Sequence, residues 1–317
     1  MIRVLQYKKE KQEINSINIK DMTFQDFKWI DCVDPTLEEQ EELKQITGLS
    51  NDDLERCLDE DERPSISPIK NYSLIIFKAP FKTNEYFETS SLAILISENL
   101  LITIRKKTMI EGINHVWKLD DEIKKTIFSK GPGYLLFKII DRISDDYFKI
   151  LEQIENRVED INEEVFENST SKTVKKIFEI RKTLVYFHRA LSANRDVITN
   201  LNSETIKCFT DTDNNNIRYV YNDNVQLIDM VAVFREILTG SLDLYLSSVS
   251  NNMNKVMKKM TAFGSLVLVP TFITGLYGMN FKKMPELFWN YGYLFAWGLI
   301  LISIISLIIY FKKKDWF

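Results

Sequence analysis

Tyr277-Gly278-Met279-Asn280-Phe281-Lys282-Lys283-Met284-Pro285-Glu286 separates the two membrane-length apolar segments of this 317-residue chain. The first segment covers residues 260–277 and the second residues 287–311. An apolar run of about 25 residues is longer than a soluble core helix needs and long enough to cross a bilayer core. Residues 299–310 are Leu and Ile apart from Ser303, Ser306 and the closing Tyr310. At roughly −0.3 to −0.6 kcal/mol per central aliphatic residue, such a segment inserts readily. Two spans joined by a short polar link cannot enclose a pore alone. A chain of this design conducts only as an oligomer, and otherwise it can only anchor.

The charges fix an expected orientation. Lys255, Lys258 and Lys259 precede the first span, and Lys312, Lys313 and Lys314 follow the second. Both flanks therefore read as cytoplasmic, with residues 278–286 as an external loop and residues 312–317 as a basic cytoplasmic tail. Trp289, Tyr291, Tyr293 and Trp297 mark one interface and Trp316 the other. The N-terminus has no apolar leader, so a multi-pass protein of the cell membrane with both termini cytoplasmic is expected. With a net charge of −4 there is no general affinity for nucleic acid. Cys32, Cys57 and Cys208 form no CxxC pair and read as structural thiols in a reducing compartment.

Before the spans the sequence reads as a cytoplasmic α/β domain over residues 1–108. Residues 2–7, 27–33 and 72–79 have strand composition, and residues 90–96 and 100–105 flank Ser97-Glu98-Asn99 as a hairpin. Helices are expected from Pro35 and over residues 51–58. Residues 109–222 read as helical. Tyr147, Leu151, Ile154, Val158, Ile161 and Val165 recur at alternating spacings of four and three, a coiled-coil-like seam. Asn168-Ser169-Thr170 ends it. A partner helix with Val174, Ile177, Leu184, Val185, Leu191 and Ile198 as its apolar set completes a helical hairpin. From about Asp223 no strong breaker intervenes before Tyr277, so residues 223–277 are expected as one helix of about 80 Å.

Within that helix Ser250, Asn254, Met257, Thr261, Gly264, Leu268, Thr271 and Gly275 share one face. Most are small or neutral polar. Such a stripe has two readings: a tight helix–helix contact, or the lining of a water-filled path. It holds no carboxylate. A dehydrated divalent cation would need anionic or carbonyl ligands, so amide and hydroxyl oxygens suit a hydrated ion instead, bonding to its water shell. Met257, Met260 and Leu268 supply apolar rings able to close the path by dewetting. Gly278 is expected as a left-handed helix cap, after which Asn280 turns inward as a neutral acceptor.

Tyr277-Gly278-Met279-Asn280 with Phe281 and Met284-Pro285-Glu286-Leu287 resembles the signature of the CorA magnesium transporters. Leu246-Ser247-Ser248-Val249-Ser250-Asn251 and the tail Tyr310-Phe311-Lys312-Lys313-Lys314-Asp315-Trp316 are similar to that family too. The resemblance implies a homopentameric funnel: an α+β cytoplasmic part, long helices and two C-terminal transmembrane helices. It implies passive Mg²⁺ influx, with Co²⁺ and Ni²⁺ tolerated, and closure by regulatory Mg²⁺ on the cytoplasmic side. By that resemblance Gly278, Met279 and Asn280 form the selectivity filter. It also implies that Asn254, Met257, Met260, Leu268 and Thr271 line the pore, with Thr261, Gly264 and Gly275 expected beside them from the shared face, and that Lys312, Lys313 and Lys314 form a basic ring. The family's usual long-helix aspartate falls on Tyr219 here. Asp213 or Asp223, facing Glu85 or Glu88 of a neighbour, are the expected substitutes.

No G-x-x-x-x-G-K-[ST] loop is present, so no nucleotide is expected to drive transport. His115 and His188 stand alone, and nothing invites a catalytic reading. Two rival readings remain: a zinc transporter of the related branch, against which the intact Gly-Met-Asn argues, and a non-conducting membrane-anchored sensor or scaffold.

Overall fold

The computed structural model describes residues 1–19, 26–83, 86–106, 110–168, 170–201, 206–282 and 284–316. The chain divides into two units, Met1–Glu164 with Thr170–Ser241, and Val165–Ser169 with Leu242–Phe317.

The first unit is built on a seven-stranded sheet. Its strands are β1 (Ile2–Lys8), β2 (Glu13–Ile17), β3 (Phe27–Val33), β4 (Ser65–Ile69), β5 (Tyr72–Lys82), β6 (Phe87–Ile96) and β7 (Leu100–Arg105). They lie in the order β2-β1-β3-β7-β6-β5-β4. β3 and β7 pair in parallel, with Lys28 opposite Leu100, and the remaining pairs are antiparallel. Helices α1 (Leu37–Thr47) and α2 (Asn51–Leu58) carry the chain from β3 to the edge strand β4, and β5 and β6 return it to β7. Each opens with a capping box, Thr36 with Glu39 and Ser50 with Asp53. Leu43, Leu54 and Cys57 from these helices join Val4, Ile30, Leu74, Leu95 and Ile102 of the sheet in one apolar core. Burial pushes the Cys57 thiol up to about 12 and raises that of Cys32 further, so both are inert packing groups.

Short helices α3 (Glu111–Lys118) and α4 (Asp121–Ser129) lead into α5 (Pro132–Asn168) and α6 (Ser171–Asn200). Every residue of the α5 seam from Tyr147 to Val165 is buried. On α6 the buried apolar set is Ile177, Ile180, Leu184, Phe187, Ala190, Leu191, Val197 and Ile198, and Val174, expected there, is half-covered. Val185, expected there, is exposed, because the alternating step passes through Leu184 and Phe187. Tyr147 meets Phe187 edge-on at 5.2 Å between the two helices. Asn194 ties α6 to the sheet: its Oδ1 accepts from the Lys78 amide at 2.9 Å, and its Nδ2 donates to the Lys78 carbonyl at 2.8 Å. The Tyr147 hydroxyl donates to the same carbonyl at 3.1 Å.

α7 spans Asp211–Tyr277, beginning earlier than the expected start near Asp223. Asn214-Asn215-Asn216 reads locally as a turn but lies inside this helix. The reason is a cap: the Thr210 amide and hydroxyl donate to the Asp213 carboxylate at 2.9 and 2.7 Å, and the Thr210 hydroxyl accepts from the Asp213 amide at 3.3 Å. Ile217, Val220, Asn224, Leu227, Val231, Phe234, Leu238 and Ser241 continue at alternating steps of three and four as its buried seam.

In the second unit α7 is followed by a 3-10 turn (Pro285–Phe288) and α8 (Gly292–Lys313). The second span is helical from Gly292, not from residue 287. The turn folds back on Gly292 so closely that any Cβ there would collide with the Glu286 carbonyl. Trp289 packs against Phe295 at 5.8 Å, and Tyr293 against Trp297 at 6.5 Å. At the far end Phe311 stacks on Trp316 at 5.1 Å.

Candidate ion pathway and flanking carboxylates

Among the residues of α7 beyond Leu242, covered and uncovered positions segregate by face. Ala262 is buried, and Ser265, Leu266, Val269, Pro270, Ile273 and Tyr277 are half-covered. On α8 the equivalent face holds Gly292, Ala296, Ile300, Ser303, Leu307 and the buried Phe311. Asn254, Met257, Met260, Thr261, Gly264, Leu268, Thr271 and Gly275 are all exposed. Apart from Met260 these positions point about half a turn away from the covered face, at ~100° per residue. The polar stripe is therefore not the contact that joins the two apolar helices of one chain.

Its chemistry is one-sided. The Thr261 hydroxyl donates to the Met257 carbonyl at 2.9 Å, and Thr271 donates to Val267 at 2.8 Å. Each hydroxyl proton is held by its own helix, which leaves oxygen lone pairs facing outward. The waters around a cation point hydrogens outward and require such acceptors. Gly264 and Gly275 have open space where a side chain would stand. Pro270 interrupts the ladder by lacking an N–H for the carbonyl four residues earlier.

α7 ends at Tyr277. The Gly278 amide donates to the Thr274 carbonyl at 2.9 Å and the Met279 amide to Leu276 at 3.3 Å. Gly278 does not adopt the expected left-handed conformation. The space around it is tight: a Cβ there would lie 3.2 Å from the Thr274 carbonyl. Met279 and Asn280 are exposed, and the Asn280 side chain makes no hydrogen bond among the described residues. Lys312, Lys313 and Lys314 are exposed at the end of α8.

The carboxylates proposed for regulation lie in the first unit. Glu85 falls outside the described residues. Glu88 is exposed on β6, opposite Phe81. Asp213 is buried as the cap of α7, packed against Gly133. Asp223 is half-buried, and burial first, then Asp141 and Asp145, hold its carboxyl above the usual range. Sequence reasoning missed the Asp141–Asp145–Asp223 grouping because it joins two helices far apart in the chain. Asp146 is also raised, to about 6, by burial. It accepts the Gly112 amide of α3 at 2.6 Å.

A family model described as CorA-like Mg²⁺ transporter protein matches residues 24–313. The cobalt/magnesium transport protein CorA of Methanocaldococcus jannaschii is 36% identical over 301 residues, covering 94% of each chain. That of Thermotoga maritima is 32% identical over 275 residues, 83% of this chain and 75% of its own. The complete structure of the CorA magnesium transporter from M. jannaschii superposes with a TM-score of 0.91 at 34% identity, covering 100% of this chain and 99% of that one. With sequence, layout and fold in agreement over nearly its whole length, this chain is a member of the CorA-like Mg²⁺ transporter family.

Proposed function

We propose that this chain is a channel-like Mg²⁺ transporter, also passing Co²⁺ and tolerating Ni²⁺, that works as a homopentamer in the cell membrane with both termini cytoplasmic. The observation that carries the reading is the exposed, carboxylate-free stripe on α7, turned away from the covered face and ending at Gly278-Met279-Asn280. Five copies with this face inward enclose a path of outward-facing oxygen lone pairs. A hydrated Mg²⁺ moves along it by exchanging hydrogen bonds of its water shell, without losing that shell. Asn280 supplies a crown of neutral carbonyl acceptors at the outer mouth. Met257, Met260 and Leu268 form the apolar constrictions.

Regulation by cytoplasmic Mg²⁺ is assigned to Asp223 of one subunit and Glu88, with Glu85, of a neighbour. Asp141 and Asp145 beside Asp223 are each paired with a cation of their own helix, Lys138 at 3.1 Å and Arg142 at 2.7 Å, so the neighbour's carboxylates are what would complete a cation site at Asp223. Asp213 serves the start of α7 and contributes to the fold that carries the gate. The test is reconstitution into liposomes holding a Mg²⁺-sensitive dye. Mg²⁺ entry blocked by hexaamminecobalt, an inert mimic of a hydrated ion, is the expected result. Zn²⁺-only, proton-coupled flux, or no flux, would replace this reading with a zinc transporter or a scaffold respectively.

A further inference from the structure

The two lysine clusters flanking the spans stand at one height. From Tyr277 back to Lys259, α7 covers about 27 Å, and from Gly292 to Phe311, α8 covers about 29 Å, at ~1.5 Å per residue. Both clusters thus lie one bilayer-core thickness from the connecting loop. On α7, Lys255 and Lys259 share the face of Ala262, Leu266 and Val269, opposite the polar stripe, and Lys258 lies about a quarter turn from the stripe's centre. On α8 the lysines are ordered rather than trailing. The Lys314 and Trp316 amides both donate to the Phe311 carbonyl, at 3.2 and 3.1 Å, and Trp316 stacks on Phe311. Asp315, left-handed at φ 53°, turns the chain back.

The charge of the chain is sharply partitioned. Residues 244–317 carry eight lysines and only Glu286 and Asp315 as acids, a net of +6 in a chain of −4, which leaves −10 for the rest.

We propose that Lys255, Lys258, Lys259, Lys312, Lys313 and Lys314 form an ordered docking tier for the phosphate headgroups of anionic phospholipids. This rests on the reading of α7 and α8 as membrane spans. The test places the full-length protein in phosphatidylcholine vesicles carrying brominated phosphatidylcholine or brominated phosphatidylglycerol at equal mole fraction. The Trp316 signal is isolated as the difference between the native protein and Trp316→Phe. Stronger quenching by the brominated anionic lipid is expected. That preference should fall roughly fivefold for each lysine changed to glutamine, survive Lys→Arg, and fade in about 0.5 M salt. Equal quenching by both lipids overturns the proposal alone, as does a preference unchanged by salt in the native protein. Displacement by inorganic phosphate would make a free anion the ligand and also overturn it. No quenching by either lipid would overturn the membrane placement as well.

Discussion

In the proposed pentamer, a single Asn280 amide per subunit, repeated around a ring, would decide what enters. Asn280→Ala removes the acceptor without touching a buried contact. Assembly is expected to persist while selectivity for Mg²⁺ over monovalent cations falls at least about tenfold, the equivalent of one modest hydrogen bond. Flux ratios in reconstituted vesicles read this directly. Asp146 makes a second prediction. Its carboxyl titrates at about 6 in the fold against an ordinary 3.8, so the native state binds that proton more tightly than the unfolded chain. The contribution is full below pH 4 and lost as pH rises through 6. Acidification from pH 7 to 4 should stabilise the native protein, relative to Asp146→Asn, on the order of 2 kcal/mol. Unfolding midpoints of the two proteins across that range check it, and parallel pH curves would contradict it.

Among elements, α6 depends on one buried amide for its union with β5. Asn194→Ala leaves the Lys78 amide without its acceptor and removes one of two donors to the Lys78 carbonyl. A loss of about 2 to 4 kcal/mol is expected in urea unfolding followed by Trp29 and Trp117 fluorescence. Such cross-element ties are what the sequence hides. Residues 51–58 announce their helix locally, through Ser50, Asp53 and the apolar pair Leu54 and Cys57. The α5 seam is legible from spacing alone. β2 and β4 are not, because both are short edge strands, one mostly polar and the other holding Pro68. Three consecutive asparagines read as a turn until Thr210 and Asp213 are seen capping the helix that contains them. The helix end at Gly278 was legible in the sequence and its backbone conformation was not, since the chain leaves the helix there without a left-handed residue.

For the whole molecule, passive transport ties flux to voltage. A divalent ion crossing 100 mV, inside negative, gains about 4.6 kcal/mol, which permits roughly thousandfold accumulation. Dissipating the potential with a K⁺ ionophore should reduce Mg²⁺ accumulation by that factor, while ATP depletion at clamped voltage leaves it unchanged. The stripe was readable because period and polarity coincide on one helix. That it is left uncovered was not, because the partner of the opposite face lies beyond the turn that follows Tyr277.

Pro270 gives α7 a fixed place where bending is cheapest, above Leu268 and below Gly278. A rod with a built-in fulcrum transmits twist from its lower end without forcing the upper end to follow. In the proposed pentamer, the Asn280 crown would keep its diameter while the Met257, Met260 and Leu268 collars dilate, making recognition and opening mechanically separate operations of one helix.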